Sequence, residues 1–178
     1  MTHDPRLEQL KSRIRDVPDF PKPGILFKDV TPLLGHGPSF RLCTDLLAER
    51  VVEAGGQPDL IVGIESRGFI FGAALAERLG VGFAPVRKPG KLPFRTHRET
   101  YALEYGTDAL EMHEDAVDGK RCLIVDDLLA TGGTAGATAR LVERLGGHAS
   151  GFLFVIELGF LHGAEKLGPS RVQSLIQF

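Results

Sequence analysis

The sequence predicts an α/β protein in which a central, mostly parallel sheet is flanked by helices. Short apolar runs such as DLIVGI, GFAPV and GFLFVIEL have the length and composition of buried strands. Segments with helical periodicity alternate with these runs, and this alternation is typical of a sheet that is covered on both faces. In such sheets, ligands bind beyond the carboxyl ends of the strands.

The first elements belong to an N-terminal region. Asp4 followed by Pro5 is a favourable helix start, and apolar residues at three- and four-residue steps predict a helix over residues 5–16. A proline-rich stretch follows, which predicts an ordered loop or an extended arm. A second helix is expected from about Ser39 to Ala54, because two glycines then end it.

The later elements alternate along the rest of the chain. An irregular polar stretch is expected up to about residue 100, followed by short extended pieces around TYALEY and ALEMH. The predicted strands are residues 59–64, 82–86, 122–125, 151–158 and 171–178, and the predicted helices are residues 69–79 and 135–145.

Bulk composition narrows the class of protein. The chain has 178 residues, of which 43% are hydrophobic and 25% charged, and its net charge is -2. This composition fits one globular domain and provides no basic field for nucleic acid or a membrane. No apolar run has the length of a membrane span, so a cytoplasmic protein is expected. The two cysteines are expected to be buried thiols, and six scattered histidines suggest no metal cluster.

The stretch LIVDDLLATGGTAGAT places two aspartates between a strand and a glycine-rich turn that opens into a helix. Such a turn directs backbone N–H groups and the helix dipole at a phosphate, and glycines let the phosphate approach closely. The common nucleoside-triphosphate and dinucleotide motifs are absent. Carboxylates accept hydrogen bonds from vicinal hydroxyls, so the turn and the acids together predict a ribose 5-phosphate ligand. The alternative is that the acids only end a strand and cap a turn.

The decapeptide VDDLLATGGT is similar to the 5-phosphoribosyl-1-pyrophosphate (PRPP) motif of the type I phosphoribosyltransferases. The stretches DFPKPGILFKDVTPLL, ESRGFIFGAALAERLG, RKPGKLP and YALEYGTDALEMH resemble the branch of that family that acts on adenine. The resemblance implies the type I phosphoribosyltransferase fold as a single domain over residues 1–178. It also implies an N-terminal hood arm over the base, at about residues 1–35, and a mobile lid at about residues 90–107.

The resemblance further implies a reaction of purine salvage, catalysed by a homodimer, in which adenine and PRPP give AMP and pyrophosphate. The transfer depends on Mg²⁺ and passes through an oxocarbenium-like transition state, which requires anions near the sugar and cations near the leaving group. Mg²⁺ would travel with PRPP or pyrophosphate, held by Asp126 or Asp127 through water and by no direct protein ligand. In the family, the PRPP motif binds the ribose and its 5-phosphate, which carries over to Asp126, Asp127, Ala130, Thr131, Gly132, Gly133 and Thr134.

The resemblance implies that a turn after a predicted strand and a basic segment bind pyrophosphate. Backbone donors and one arginine in the turn suit phosphate oxygens. The basic segment alone could equally be a solvated loop, and whether its cations serve their own site or that of a neighbouring subunit is left open. The residues concerned are Ser66, Arg67, Arg87, Lys88 and Lys91.

The resemblance implies that the proline-rich arm recognises adenine. Phe27 would pack on the base, and main-chain groups of Leu26 and Lys28 would form hydrogen bonds with its edge. Core packing is the alternative role for Leu26 and Phe27. Glu104 matches the proposed proton-transfer residue of the family; without the resemblance it would be an ordinary exposed glutamate. It either exchanges a proton with the purine or only positions it.

Two other functions compete with this interpretation. A PRPP-sensing regulator would normally add a DNA-binding domain or a basic surface, and the sequence offers neither a spare segment nor net positive charge. A transferase for 6-oxopurines or orotate would share the PRPP motif, and the proline-rich arm argues against it.

Overall fold

The structure is a computed structural model that describes residues 4–102, 106–167 and 171–178. Its contacts divide the chain into two compact units, Met1–Leu46 and Leu47–Phe178. The division falls inside a long helix, beyond the predicted end of the hood arm near residue 35. In the described ranges, no helix combines the length and the apolar character needed to cross a membrane.

The first unit contains helix α1 (Pro5–Lys11), strands β1 (Arg15–Pro18) and β2 (Leu26–Asp29), helix α2 (Thr31–Leu34) and the first part of helix α3 (Gly37–Glu53). The Asp4 carboxylate caps α1 by accepting a hydrogen bond from the Arg6 N–H at 2.9 Å. The expectation that this helix reaches residue 16 was wrong. Strand β1 pairs antiparallel with β2, and the same backbone cannot also continue the helix.

The second unit is built on a five-stranded sheet in which every neighbouring pair is parallel, as the sequence predicts. The spatial order is β4-β3-β7-β8-β9. The strands are β3 (Leu60–Ile64), β4 (Gly82–Val86), β7 (Arg121–Leu129), β8 (His148–Glu157) and β9 (Arg171–Gln177).

Helices cover both faces of this sheet. Helix α5 (Gly133–Arg144) places Ala137 and Leu141 in one hydrophobic core with Val62 and Ile124. Helix α4 (Gly68–Leu79) lies against the opposite face, because a Cβ on its Gly72 would be 3.5 Å from Ile61 Cγ2. Two short 3₁₀ turns, Gly159–Leu161 and Gly163–Leu167, follow β8 and were not predicted.

An antiparallel hairpin of β5 (Thr96–Ala102) and β6 (Thr107–His113) joins β4 to β7 in sequence. The short extended pieces expected here are therefore present, but the irregular stretch expected up to residue 100 was wrong from Thr96 onward. The apolar alternation that marks a strand is hidden because β5 buries a charged side chain, Glu99, which is only 8% exposed.

The order of strands fixes where a ligand can bind. Strand β3 pairs with β4 on one side and with β7 on the other, so the topology switches direction between β3 and β7. The loops that leave their carboxyl ends diverge there and open a crevice. The loop after Ile64 leads into α4, and the loop after Leu129 leads into α5.

Candidate active site

A cavity of about 320 Å³ lies at the carboxyl ends of β3 and β7, the size of a small ligand site. A smaller cavity of about 120 Å³ lies near the amino ends of β7 and β8. A third cavity, of about 450 Å³, lies on the other side of Gly132 and Gly133, next to Glu99 and Arg140. Most of the sequence-predicted ribose and pyrophosphate residues come together in the cavity of about 320 Å³. Its lining is Glu65, Ser66, Arg67, Lys88, Tyr101, Leu110, Asp126, Asp127, Leu128, Leu129, Ala130, Thr131, Gly132, Gly133, Thr134, Ala135 and Phe154.

The phosphate loop, defined here as residues 130–134, forms one wall of the cavity and opens α5. Gly132 has φ +79°, a left-handed conformation that side chains other than glycine rarely adopt. A Cβ on Gly132 would also stand 2.6 Å from the Gly163 carbonyl oxygen. The first N–H groups of a helix have no partner within the helix, so this wall offers donors to an anion.

The two predicted aspartates lie within β7 and not on the turn that follows it, because β7 continues to pair with β8 as far as Leu129. Asp127 is 5% exposed and accepts a hydrogen bond from Arg67 Nε at 2.5 Å. Burial, together with the neighbouring Asp127 carboxylate, raises the pKa of Asp126 well above its usual range. A Cβ on Gly68 would stand 2.5 Å from Asp126 Oδ1, so glycine allows α4 to approach this carboxylate.

Two cations face the paired acids across the cavity. Arg67 leaves the end of β3 and reaches Asp127, and the Glu65-Ser66 peptide before it is cis. The Lys88 ammonium group pairs with the Asp108 carboxylate of β6. Burial lowers the pKa of Lys88, but hydrogen bonding to Asp108 outweighs this effect, so that the pKa lies above its ordinary value. Lys88 is therefore charged at neutral pH.

Arg87 and Lys91 do not line the cavity. The Arg87 guanidinium donates to Glu65 Oε2 at 3.1 Å and to the Lys91 carbonyl at 3.2 Å. Burial raises the pKa of Glu65, but hydrogen bonds from Arg87 and from the Lys88 N–H at 2.9 Å lower it more, and the pKa falls below its ordinary value. The described contacts of Arg87 therefore tie the basic segment to the loop after β3.

Sequence reasoning missed three residues around the phosphate loop. Tyr101, 5% exposed, accepts a hydrogen bond from Thr134 Oγ1 at 3.3 Å and donates to Asp108 Oδ2 at 3.1 Å. Gly163 packs against Gly132 and Ala130 from behind the loop. The place of Tyr101 within the predicted lid was a weak signal, whereas no local signal marked Asp108 or Gly163 because only the tertiary fold brings them here.

The residues predicted to bind adenine lie in the first unit, on β2. Leu26 is 47% exposed and therefore is not a core residue, and the Phe27 ring packs edge-on against Phe20 with centroids 5.1 Å apart. The Lys28 ammonium donates a hydrogen bond to Asp16 Oδ1 at 2.6 Å. Glu104 lies outside the described residues.

The parallel sheet, the switch point and the cavity lined by paired acids and a phosphate loop define a protein that binds a sugar phosphate. Residues 29–161 match the family model of the phosphoribosyl transferase domain. The fold and the site therefore define a phosphoribosyltransferase.

Closer relatives refine this class. The adenine phosphoribosyltransferase of Desulfitobacterium hafniense is 58% identical over 93% of this chain and 95% of its own length. The crystal structure of the enzyme from Thermoanaerobacter pseudethanolicus superposes with a TM-score of 0.93 at 55% identity, covering 97% of this chain and 99% of the other. The enzyme from Saccharomyces cerevisiae, solved with adenine and an iminoaltritol bisphosphate, gives 0.92 at 43% identity over 96% and 98% of the two chains. The chain belongs to the adenine phosphoribosyltransferases.

Proposed function

We propose that the cavity at the carboxyl ends of β3 and β7 transfers ribose 5-phosphate from PRPP to adenine, forming AMP and pyrophosphate in purine salvage. One observation carries this proposal. A phosphate loop, two carboxylates and two cations line the same cavity, which is the charge arrangement that an oxocarbenium-like transition state requires. Relatives of the chain bear the name of this activity, and the yeast enzyme was solved with adenine bound.

The ribose 5-phosphate end of PRPP would occupy the phosphate loop and the paired acids. Backbone N–H groups of residues 130–134 and the hydroxyls of Thr131 and Thr134 would bind the 5-phosphate. Asp126 and Asp127 would accept hydrogen bonds from the 2- and 3-hydroxyls. Their negative charge lies at the place where the ribose ring becomes positive, so it stabilises the transition state more than the ground state.

The leaving pyrophosphate would lie against Ser66, Arg67 and Lys88. Arg67 and Lys88 pair with Asp127 and Asp108, and phosphate oxygens offer competing acceptors. We also assign pyrophosphate binding to Arg87 and Lys91. Because these two side chains do not line the cavity, they would act after a rearrangement of the basic segment or in the site of a neighbouring subunit.

The donor set fits Mg²⁺ that is carried by the substrate. No group of three acidic, histidine or cysteine side chains forms a metal site within residues 4–102, 106–167 and 171–178. Asp126 and Asp127 line the cavity, and Mg²⁺ commonly keeps most of its waters and binds one or two carboxylates together with phosphates. Bound Mg²⁺ would supply neutralisation of the pyrophosphate charge, and these two aspartates would hold its waters.

Adenine would be read by main-chain groups of Leu26 and Lys28 and packed by Phe27. Glu104 would act at the imidazole side of the base, where a carboxyl group can exchange a proton and so adjust the basicity of the attacking nitrogen. Residues 1–35 would form the hood over the base. Residues 90–107 would form the lid that excludes water, which otherwise hydrolyses the activated ribose.

A homodimer in the cytoplasm is part of the proposal. Ile70 on α4 and Phe94 before β5 are 42% and 56% exposed, so both side chains are available for contact with a partner. Cys43 and Cys122 are buried free thiols, which suits a reducing compartment. Sedimentation velocity of the purified protein tests the oligomeric state.

The activity is tested by product formation with PRPP, Mg²⁺ and a panel of adenine, hypoxanthine, guanine and orotate. We expect kcat/KM for adenine to exceed that for the 6-oxopurines at least about a hundredfold, because a mismatched edge leaves buried polar groups unpaired. Comparable turnover of hypoxanthine would contradict the assignment.

Substituting Glu104→Leu should lower kcat by about 10² to 10⁴, and Glu104→Gln separates proton exchange from positioning, since Gln keeps a hydrogen bond but transfers no proton.

A further inference from the structure

The third cavity, of about 450 Å³, lies behind the phosphate loop, and we name it the rear cavity. Gly132 and Gly133 line it and also line the active-site cavity of about 320 Å³, so these two glycines form a wall between the two cavities. Tyr101 lines both cavities as well. The residues that line the rear cavity and not the active-site cavity are Glu99, Thr100, Gly136, Arg140 and Lys166.

Arg140 is held at the rear cavity by a buried carboxylate. Glu99 is 8% exposed and accepts a hydrogen bond from Arg140 Nε at 2.6 Å, and Arg144 Nη2 lies 2.7 Å from its second oxygen. The hydrogen bond from Arg140 lowers the pKa of Glu99 below its ordinary value, so the carboxylate is charged at neutral pH. Because Glu99 binds the Nε side of the guanidinium, the terminal nitrogens of Arg140 are left for another partner.

These terminal nitrogens lie close to a second cation. A Cβ on Gly136 would stand 3.6 Å from Arg140 Nη1 and 3.7 Å from Leu167 Cδ2. Gly136 therefore lies between the guanidinium and the 3₁₀ turn Gly163–Leu167, which carries Lys166. Among the residues that the structure describes, the terminal nitrogens of Arg140 have no hydrogen-bond partner, and the Lys166 ammonium has neither a hydrogen-bond nor an ion-pair partner.

Two cations with unused donors at one cavity predict an anionic ligand. A guanidinium offers parallel N–H groups to two phosphate oxygens, and an ammonium group adds a second positive charge. Glu99 does not cancel this attraction, because Arg140, Arg144 and Lys166 together outnumber it. We propose that the rear cavity is a second phosphate-binding site, in which Arg140 and Lys166 bind a phosphate ion or the phosphate group of a small ester.

An anion in the rear cavity would oppose the binding of a 5-phosphate in the phosphate loop. Only Gly132 and Gly133 form the wall between the two cavities, so two phosphates bound on its opposite sides would repel each other. By linkage, each anion weakens the binding of the other by the same factor, for which we expect about fivefold. This effect on the reaction rests on the proposed function, whereas the rear site itself does not.

Amide NMR of the isotope-labelled protein tests the site directly. Gly136 lines only the rear cavity and Thr131 only the active-site cavity, so their amide signals report on the two cavities separately. Inorganic phosphate, added at constant ionic strength, should shift the Gly136 signal with a Kd of about 1 mM, the affinity that two charge-assisted hydrogen bonds supply. Sodium chloride should not shift it. A parallel titration with glycerol 2-phosphate shows whether the site also accepts a phosphate ester.

If neither phosphate compound shifts Gly136, or if chloride shifts it equally, the proposal is overturned. Lys166→Gln and Arg140→Gln should each weaken phosphate binding at Gly136 at least about tenfold, since each removes a charged donor. The response of Thr131 should stay as in the wild type, because neither side chain lines the active-site cavity. Lys166→Gln breaks no described contact, so its folding is not at risk. Wild-type phosphate affinity at Gly136 in both variants would also overturn the proposal.

Arg50→Gln is the matched control. Arg50 is a helical arginine of α3 that pairs with Glu53 at 3.0 Å and lines none of the three cavities. Its substitution should leave the phosphate titration of Gly136 unchanged. An equal loss of phosphate affinity in Arg50→Gln and Lys166→Gln would show that phosphate responds only to the overall charge of the protein, and would overturn the site.

AMP separates this inference from the proposed function. AMP should shift the Thr131 signal in the wild type and in Lys166→Gln alike. Phosphate at a concentration that saturates Gly136 should raise the Kd for AMP about fivefold more in the wild type than in Lys166→Gln, in which only direct competition in the active-site cavity remains. Equal effects in the two proteins would overturn the opposition across the wall. If AMP leaves Thr131 unshifted, the proposed binding of the 5-phosphate fails, and the Gly136 titration still decides the rear site.

Discussion

Two strand-turn-helix segments face each other across the topological switch point. They would contact a bound anion through different groups. The phosphate loop between β7 and α5 contains no cationic side chain and relies on backbone N–H groups in a conformation that Gly132 makes possible. The loop between β3 and α4, residues 65–67, contains no glycine and relies on the Arg67 guanidinium. The first loop would bind an anion through its backbone conformation, and the second would bind it through the charge of a side chain.

The difference predicts which changes should impair anion binding by each loop. A backbone cradle fails when a side chain occupies its space or when its dihedral angles change, and it depends little on ionic strength. A charged loop tolerates small changes of shape but depends on its counter-ions, here Asp127 for Arg67 and Glu65 for Arg87. Substitutions matched to each property should therefore separate the two loops.

The largest effect is expected from Gly132→Ala. The new Cβ would require a left-handed backbone that costs about 1–2 kcal/mol and would meet the Gly163 carbonyl oxygen. We expect kcat/KM for PRPP to fall at least about a hundredfold, the usual loss when a preorganised donor is displaced. Gly136→Ala, one helical turn later, is the control, because its Cβ would meet only ordinary contacts at 3.6 and 3.7 Å. Equal activity of the two variants would refute a cradle built on shape.

A smaller loss is expected from Arg67→Gln. Removing a charge-assisted hydrogen bond to the leaving group should lower kcat/KM about ten- to a hundredfold. Arg67→Lys should recover part of this loss, since it keeps the charge without the planar fork. Steady-state kinetics at low and high salt check the contrast with the phosphate loop. If the wild-type and Arg67→Gln enzymes respond equally to salt, Arg67 does not bind pyrophosphate by charge.

The pH dependence of PRPP binding should report on Asp126. Burial and Asp127 raise its pKa, so it takes up a proton at higher pH than an ordinary aspartate does. Hydroxyl donors favour the charged form, so PRPP affinity should fall by up to about tenfold per unit as pH drops through this raised pKa. Without ligand, the free energy of unfolding depends on pH in the opposite direction. The stabilising contribution of a carboxyl group whose pKa is raised on folding is present at low pH and is lost as pH rises through that pKa. Calorimetry in buffers of different ionisation enthalpy should show a proton released on binding by the wild type but not by Asp126→Asn.

The smallest effect is expected from Glu65→Gln. The pKa of Glu65 lies below its ordinary value of 4.5, so its contribution to folding stability is present above that value and lost as pH falls through the lowered pKa. The variant should therefore melt below the wild type at neutral pH, and the difference should shrink in acid. Its KM for PRPP should change by less than about threefold, since Gln keeps the size of this cavity-lining side chain and the ion pair it loses with Arg87 is partly exposed. A pH-independent difference in melting temperature would show that Glu65 does not act by charge.

The sequence predicts the fold well wherever apolar runs dictate burial. Strands β3 and β4 and helix α4 begin and end within a residue of their expected positions, because both faces of a parallel sheet are covered and its strands are continuously apolar. The prediction fails where tertiary partners override local pattern. Strand β1 needed β2 to form, and β7 continues through two acids because β8 supplies its hydrogen bonds.

The same distinction between local sequence pattern and tertiary contacts applies to the residues of the site. Asp126, Asp127 and the glycines of the phosphate loop stand together in the sequence, so local chemistry identifies them. Tyr101 and Gly163 come from distant segments; the neighbourhood of Tyr101 gives only a weak signal that it reaches the loop, and that of Gly163 gives none. A buried carboxylate such as that of Glu99 is equally hidden, because its sequence signature is that of an exposed charge.

The pairing of β3 with β7 has a consequence for how the molecule folds. It joins residues as far apart in the chain as Leu60 and Cys122, with α4, β4 and the β5–β6 hairpin between them. Closing so long a segment costs entropy before any contact compensates for it, so this pairing forms slowly. The two anion-binding loops face each other only after it has formed, so recovery of PRPP binding during refolding should follow the slowest phase of sheet formation and not the early formation of helices.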